Sequence, residues 1–138
     1  MIILDTNVVS ELMRPAPSAA VAEWVERQSL LDLATTAITV AEILRGIRRL
    51  PQGRKQSEIQ RRLNEFLDLG FRGRILSFDY AAAEIYASII AQRQGRGKPI
   101  GTFDAMIAAI ASVAGAEVAT RDAGGFEDCN VTIIDPWR

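Results

Sequence analysis

The chain opens with MIILDTNVVSEL (residues 1–12), in which an apolar run ends abruptly on an acid. Residues 2–4 have the composition of a short buried strand, and Asp5, Thr6 and Asn7 follow before the apolar pattern resumes. Asp5 suits the N-cap of the next helix, which is a common structural role. It also suits a ligand-holding position, because ligands bind beyond the carboxyl ends of parallel strands. The stretch therefore predicts a strand-to-helix junction and leaves both roles of Asp5 open.

The composition is that of an ordinary globular protein. The chain has 138 residues, 49% of them apolar and 24% charged, with a net charge of −1. This length predicts a single domain over residues 1–138, and the charge predicts no global attraction to nucleic acid or membrane. No stretch approaches the roughly 20 apolar residues of a membrane span, and the start lacks the pattern of a signal peptide. These features favour the cytoplasm.

Two residue types are scarce enough to exclude whole classes of chemistry. The single cysteine, Cys129, allows no internal disulfide and no cysteine-rich zinc site, and is typical of a small buried side chain. The chain contains no histidine, which excludes Ser-His-Asp and Cys-His catalysis and histidine-based zinc sites. A hydrolytic enzyme of this composition must use carboxylates, hydroxyls, amines or a bound hard metal ion.

Short apolar strands alternate with helical patterns along the chain. The expected strands are 2–4, 33–38, 74–78, 117–120 and 131–134. The expected helices are 8–13, one capped by Ser18, one from Thr39 to the PQG at 51–53, one through residues 59–67, one from Asp79 to about Gln94, and 103–114 with an apolar face of Phe103, Met106, Ile107, Ile110 and Ala111. This alternation predicts a three-layer α/β fold with a central, mostly parallel sheet flanked by helices.

Acidic residues follow these strands in a regular way. Asp5, Asp79 and Asp122 each come after a predicted strand, Glu42 lies one turn into the helix after the second strand, and Asp104 begins the most apolar helix. The carboxyl ends of parallel strands meet at one edge of a sheet. Carboxylates that converge there repel one another unless one is protonated or a cation neutralises them. A hard divalent ion such as Mg²⁺ or Mn²⁺ suits such a cluster.

Each acid also has an ordinary structural interpretation. The three aspartates after strands suit helix N-caps, and Asp104 suits the positive first turn of a helix. Thr39 and Glu42 match the spacing of a capping box, in which Glu42 would accept a hydrogen bond from the Thr39 amide. Position alone does not separate Asp79 from Asp5.

A basic segment stands out on this nearly neutral chain. Within eighteen residues there are seven basic side chains and one acid, Glu58. Such a segment suits a phosphate backbone, and it equally suits a solvated helix face or an acidic partner. The basic residues are Arg45, Arg48, Arg49, Arg54, Lys55, Arg61 and Arg62.

Several of these motifs together resemble a PIN domain of the VapC toxin type, within it the FitB-like members. The resemblance covers the whole chain and depends on ILDTNVVSEL, ITVAEILRGI (38–47), FDAMIAAIA (103–111), VATRD (118–122) and the closing DPWR, in this order and at these intervals. It implies that the site acids are Asp5, Glu42, Asp104 and Asp122, as catalytic residues and metal ligands. Thr6, Asn7 and Thr120 would be their polar neighbours.

The resemblance also implies a function. Members of this family are Mg²⁺- or Mn²⁺-dependent endoribonucleases and toxins of toxin–antitoxin pairs. It implies a VapB- or FitA-like antitoxin partner, operator DNA bound through that antitoxin, a homodimer, and no membrane. Asp79 matches no site acid and belongs to an edge strand, so a cap is expected there. Arg45, Arg48 and Arg49 are the expected contacts to RNA.

Other functions fit parts of the pattern less well. A phosphatase of the haloacid-dehalogenase type needs a second acid two residues after the first, where this chain has Asn7. A phospho-receiver domain needs an acid pair after the first strand and a lysine after the last, and Lys98 lies in a loop before a helix. A catalytically inert PIN-like module that only binds a partner is the remaining alternative.

Overall fold

A five-stranded parallel sheet forms the centre of the fold. The computed structural model describes residues 1–138, and all neighbouring strands in it run parallel. The strands are β1 (Ile2–Leu4), β2 (Leu33–Thr36), β3 (Ile75–Leu76), β4 (Glu117–Ala119) and β5 (Ile133–Ile134), in the order β3-β2-β1-β4-β5. The helices are α1 (Thr6–Leu12), α2 (Ala19–Glu26), α3 (Ala37–Arg48), α4 (Arg54–Gly70), α5 (Tyr80–Gly95) and α6 (Thr102–Ala114).

Strand β1 lies in the middle of the sheet because it is apolar throughout. Ile2 pairs with Leu33 of β2 on one side and with Glu117 of β4 on the other. From β1 the chain builds outward through β2 and β3, and then returns to place β4 and β5 on the opposite side. This reversal of strand order occurs next to β1, so the residue after β1 lies at the point where ligands of such sheets bind. That residue is Asp5.

Two apolar clusters pack on the two faces of the sheet. Ile3 packs with α5 and α6, whereas Ile2 and Leu4 pack with Val8, Val9 and Val21 of α1 and α2. Successive side chains of a strand point to opposite faces, which explains this division. The predicted three-layer arrangement is therefore confirmed, and Cys129 is buried in the cluster of α5 and α6 as expected.

Local hydrogen bonds move two helix starts from the predicted positions. Helix α1 begins at Thr6 instead of residue 8, because the Asp5 carboxylate accepts a hydrogen bond from the Thr6 amide at 2.8 Å. Helix α3 begins at Ala37 instead of Thr39, because the Thr36 hydroxyl accepts from the Thr39 amide at 3.0 Å. The second strand consequently ends at Thr36, not at residue 38.

The remaining differences lie at the sheet edges and helix ends. The strands predicted at 74–78 and 131–134 shorten to two residues each, since β3 and β5 have a partner on one side only. The strand predicted at 117–120 ends at Ala119. Ser18 precedes α2 without a side-chain cap bond, a 3₁₀ turn at Leu30–Asp32 was not predicted, and Phe103 is 39% exposed although it was assigned to the apolar face.

No helix in the structure combines the length and the apolar character needed to cross a membrane.

Candidate functional site

The four acids of the family motifs meet at the carboxyl edge of the sheet. Asp5 follows β1, Glu42 lies on α3 just after β2, Asp122 follows β4, and Asp104 lies in the first turn of α6. Burial raises the pKa of Asp104 from its ordinary 3.8 to about 6, and the negative charges of Asp5, Asp122 and Glu42 add to this rise. The structure therefore brings the four carboxylates within electrostatic range of one another.

Asp5 is the most deeply buried of these acids, with 4% of the residue exposed. Burial is the main cause that raises its pKa, and the charges of Glu42 and Asp122 act in the same direction. Hydrogen bonds from Thr120 and Thr6 oppose this by stabilising the ionised form. The protein thus holds the Asp5 carboxylate with fixed donors in a place where its charge is costly.

Thr120 is the residue that ties the end of β4 to the end of β1. Its hydroxyl donates to Asp5 Oδ2 at 2.8 Å and accepts from Asn7 Nδ2 and from the Asp122 amide, both at 3.1 Å. A hydroxyl has one hydrogen and two lone pairs, so all of its bonding capacity is used. Asn7 in turn accepts from the Arg121 amide through Oδ1 at 3.2 Å. Asn7 and Thr120, predicted as polar neighbours, therefore hold Asp5 and Asp122 in register.

Glu42 is held by a threonine from a distant part of the chain. Its Oε1 accepts a hydrogen bond from Thr6 Oγ1 at 2.7 Å, and the hydroxyls of Thr6 and Thr39 lie 3.2 Å apart. The predicted capping box between Thr39 and Glu42 is wrong, because Thr36 caps α3 and leaves the Glu42 side chain free to reach α1. Thr6 thus connects Glu42 to the residue that follows Asp5.

Gly125 leaves room for the carboxylates of Asp104 and Asp122. Its amide donates to Asp122 Oδ1 at 3.1 Å. A Cβ atom added at Gly125 would lie 2.6 Å from Asp122 Oδ2 and 3.4 Å from Asp104 Oδ2. The first distance is shorter than any ordinary contact, so a side chain at this position would displace the acids. The space between these two carboxylates therefore depends on the glycine.

The charge of the acidic cluster is not balanced by basic side chains. None of the ion pairs in the structure involves Asp5, Glu42, Asp104 or Asp122. A set of oxygen donors with unbalanced negative charge has the chemistry that suits Mg²⁺ or Mn²⁺. As the side chains are placed, no group of three acids is arranged to hold one metal ion.

Asp79 lies apart from this cluster, as predicted. It is the N-cap of α5, and its Oδ1 accepts a hydrogen bond from the Ala82 amide at 2.9 Å. It follows β3, which is the edge strand of the sheet. The cap interpretation of Asp79 is confirmed.

The basic segment divides into paired and unpaired side chains. Arg61 pairs with Glu65 and Arg62 with Glu58, each at 2.8 Å. The three arginines predicted to contact RNA are exposed and form no ion pair, although Arg48 Nη1 lies 3.4 Å from Gln60 Oε1. Two of these arginines lie on α3, the helix that carries Glu42, and the third follows its end. Their role toward RNA stays a prediction; they are Arg45, Arg48 and Arg49.

Sequence reasoning missed three contributors to the surroundings of the site. Gly125 could have been found from the paired glycines in RDAGGF, which mark a close backbone approach. The Arg121 guanidinium lies 4.9 Å from the centre of the Trp137 ring, and only its place beside Asp122 pointed to it. Arg93 is buried, with 6% of the residue exposed, and no pattern in the sequence marks it.

Several known proteins are similar to this chain in both sequence and fold. The chain matches the PIN domain description over residues 2–130. It is 43% identical over 138 residues to the VapC ribonuclease Y4jK of Sinorhizobium fredii, covering 100% of this chain and 99% of that relative. It is 42% identical to the toxin FitB of Neisseria gonorrhoeae with the same coverage. A solved structure of FitAB bound to an IR36 DNA fragment contains a chain with a TM-score of 0.91 and 41% identity, covering 100% of this chain and 96% of that one.

These matches extend over nearly the whole chain and include every segment that carries a motif acid. The chain therefore belongs to the PIN-domain family.

Proposed function

We propose that this protein is a Mg²⁺- or Mn²⁺-dependent endoribonuclease that acts as the toxin of a toxin–antitoxin pair. The observation that carries the proposal is the convergence of four acids without a basic partner at the carboxyl edge of the sheet. Relatives named as a VapC ribonuclease and as a toxin support the activity and the biological role. Membership of the PIN family leaves no support for the phosphatase or phospho-receiver alternatives.

Asp5, Asp104 and Asp122 would hold the ion, directly or through water, with Glu42 completing the acidic set. Thr120 and Thr6 each donate to Asp5, which keeps its carboxylate oriented toward the edge of the sheet. A bound Mg²⁺ or Mn²⁺ supplies an activated water molecule and stabilises the charge that develops on a phosphate. The threonine network supplies the rigid support that such ligands need.

Glu42 and Asp122 are the two candidates to orient the attacking water or to accept its proton. Thr6 donates to Glu42 Oε1 at 2.7 Å, which leaves Oε2 free to accept a proton. Asp122 is exposed, and Gly125 holds it through Oδ1. A carboxylate that is fixed by one oxygen can accept a proton at the other without losing its position. In-line attack on the phosphodiester would follow, with exposed arginines holding the backbone.

The partners follow from the same relationship. The chain that resembles this one in FitAB is part of a complex bound to DNA. We propose that this protein likewise binds a cognate VapB- or FitA-like antitoxin, reaches operator DNA only through that antitoxin, and forms a homodimer. Cleavage of cellular RNA would place its action in the cytoplasm.

The test uses the protein purified without an antitoxin and incubated with RNA and Mg²⁺ or Mn²⁺. Cleavage is expected with the wild type and with Asp79→Asn, which changes an acid outside the cluster. It is expected to be lost with Asp5→Asn and after addition of EDTA. Equal cleavage by wild type and Asp5→Asn would contradict the proposal. Absence of Mn²⁺ binding in the millimolar range or tighter by calorimetry would favour the inert PIN-like module instead.

A further inference from the structure

Arg93 is a buried arginine without an acidic partner. It lies near the end of α5 with 6% of the residue exposed, and it forms no ion pair. Burying a charge is costly unless hydrogen bonds satisfy it. Its guanidinium donates through Nε to the Lys98 carbonyl at 2.6 Å and through Nη1 to the Glu127 carbonyl. The Arg93 guanidinium therefore links two separate segments of the backbone.

The first segment leads directly into α6. The Lys98 amide donates to the Arg93 carbonyl at 2.9 Å and the Gly97 amide to the Gln94 carbonyl at 3.1 Å, with Gly97 at φ 67°. These two bonds form a Schellman motif, which ends α5 and turns the chain. The Arg93 side chain then adds a third bond to the same turn through the Lys98 carbonyl. Asp104 follows six residues later.

The second segment follows Asp122. Asp122 caps a short 3₁₀ turn at Ala123–Phe126, and Glu127 comes immediately after it. Asp128 and Asn130 both adopt a positive φ of 62°, a conformation that costs energy for residues other than glycine. Asp and Asn tolerate this conformation better than other non-glycine residues, and hydrogen bonds from elsewhere add to the order of the segment. The Arg93 bond to the Glu127 carbonyl is one of them.

The Arg93 guanidinium and the Asp104 carboxylate both act on the buried thiol of Cys129. Burial raises the pKa of the Cys129 thiol, while Arg93 lowers it by its charge and a hydrogen bond, and Asp104 raises it by charge. Arg93 and Asp104 are therefore both within electrostatic range of one buried thiol.

We propose that Arg93 is a positioning residue for Asp104 and Asp122. By tying the turn before Asp104 to the segment after Asp122, its guanidinium sets the separation of these two carboxylates and so the affinity of the site for a divalent cation. The identity of the ligand as a divalent cation rests on the proposed function, whereas the positioning role rests on the hydrogen bonds of Arg93.

Two exposed ion pairs join the same segments and provide a control. Arg96 Nη1 lies 3.0 Å from Asp128 Oδ2, and Lys98 Nζ lies 4.0 Å from Glu127 Oε1. Exposed pairs of this kind contribute little to stability. Arg96→Gln therefore removes a connection between the two segments while leaving the buried one intact.

The experiment compares Arg93→Gln and Arg93→Lys with Arg96→Gln and the wild type. Mn²⁺ affinity is measured by calorimetry and by electron paramagnetic resonance of free Mn²⁺, on protein whose folded state is verified by circular dichroism. Arg93→Gln is expected to weaken Mn²⁺ binding about tenfold, the usual effect of losing a support behind a metal ligand. Arg93→Lys keeps the charge but has one donor nitrogen in place of the two that reach the separate carbonyls, so its Mn²⁺ affinity is expected to lie between those of the wild type and Arg93→Gln. The Mn²⁺ affinity of Arg96→Gln is expected to equal that of the wild type.

Hydrogen exchange of backbone amides separates this proposal from the metal assignment. Exchange should become faster in residues 98–104 and 122–127 of Arg93→Gln, and not in Arg96→Gln, with or without Mn²⁺. Unchanged exchange in Arg93→Gln, or Mn²⁺ affinity equal to the wild type in both Arg93 variants, would overturn the positioning role. Failure of the wild type to bind Mn²⁺ would instead reject the metal site, and the exchange data would still decide whether Arg93 fixes the two segments.

Discussion

Replacing Asp104 by Asn should stabilise the protein when no divalent cation is present. Asp104 is half-buried beside three other acids, and its pKa is raised from 3.8 to about 6. An acid whose pKa is higher in the folded state destabilises that state when it is ionised. Asparagine has nearly the same shape and no charge. The substitution therefore removes a repulsion that nothing within the protein balances.

The size of the effect follows from the pKa. The rise from 3.8 to about 6 corresponds to about 3 kcal/mol, at about 1.4 kcal/mol for each pKa unit. Because the side chain is only half-buried, solvent screening reduces this to about 1.5 kcal/mol. Loss of a favourable charge in the first turn of α6 subtracts about 0.5 kcal/mol. The net gain is about 1 kcal/mol, or about 3 °C in Tm for a domain of this size.

The pH dependence of stability tests independently whether the ionised Asp104 carboxylate destabilises the folded state. Below pH 3.8 Asp104 is protonated in both the folded and unfolded states, so its charge costs nothing. Between the unfolded value of 3.8 and the folded value of about 6, the unfolded state ionises first, and the wild type loses stability as pH rises. Above about pH 6 the full penalty is present. The stability advantage of Asp104→Asn should therefore be full at pH 7.5 and small at pH 4.

The assay is thermal unfolding followed by circular dichroism in EDTA at pH 4 and pH 7.5. Asp79→Asn is the matched control, since it also removes one aspartate charge and asparagine caps helices about as well as aspartate. Its Tm should differ little from the wild type at both pH values. Excess Mn²⁺ should reverse the order, because the wild type then gains binding energy that the variant lacks. A Tm of Asp104→Asn equal to or below the wild type at pH 7.5 in EDTA would refute the reasoning, as would an advantage of the same size at pH 4.

Three further predictions concern the site. Asp5→Asn should keep the cap of α1 and therefore fold. It should lower kcat/KM for RNA by at least about 100-fold, since a lost metal ligand removes several kcal/mol of transition-state stabilisation. A smaller loss in a Mn²⁺-dependent cleavage assay would contradict this prediction. Thr120→Val should lower the free energy of unfolding by about 1–3 kcal/mol in urea titrations, because it removes the donor to Asp5 Oδ2 and the acceptor of the Asp122 amide. No change in the urea midpoint would contradict this. Gly125→Ala should weaken Mn²⁺ binding in calorimetry, since its Cβ would lie 2.6 Å from Asp122 Oδ2. The neighbouring Gly124→Ala should bind Mn²⁺ like the wild type, because the nearest contact of its Cβ would be at 4.0 Å. Equal Mn²⁺ affinity of the two variants would contradict this prediction.

The parts of the fold that could be predicted depend on local patterns. The apolar run at Ile2–Leu4 predicted a buried strand, and the alternation of strands with helices predicted a mostly parallel sheet. The parallel topology predicted that residues following the strands would lie along one edge of the sheet. It did not separate Asp79 from Asp5, and the resemblance to PIN domains supplied the choice of Asp5, Glu42, Asp104 and Asp122. Element ends were less predictable, since they depend on which hydroxyl caps a helix, as Thr36 does for α3.

The contacts behind the acids could not be predicted, because they join distant parts of the chain. The spacing of Thr39 and Glu42 is that of a capping box, yet Glu42 bonds to Thr6, which lies 36 residues away in sequence. Arg93 makes its two side-chain bonds to backbone carbonyls, and any residue supplies a carbonyl, so no residue type marks its targets. Long-range bonds of this kind become visible only when the fold has placed their partners.

The cap role of Asp5 and its proposed role as a metal ligand are compatible, because a carboxylate can accept more bonds than the cap uses. Oδ1 accepts the Thr6 amide at 2.8 Å and thereby caps α1. Oδ2 accepts the Thr120 hydroxyl at 2.8 Å, with the Asn7 amide group at 3.4 Å. An ionised carboxylate offers about four lone-pair positions, so these donors leave room for a cation. The cap fixes the direction of the side chain, and a fixed direction would favour the proposed metal binding, because less conformational freedom would be lost on binding.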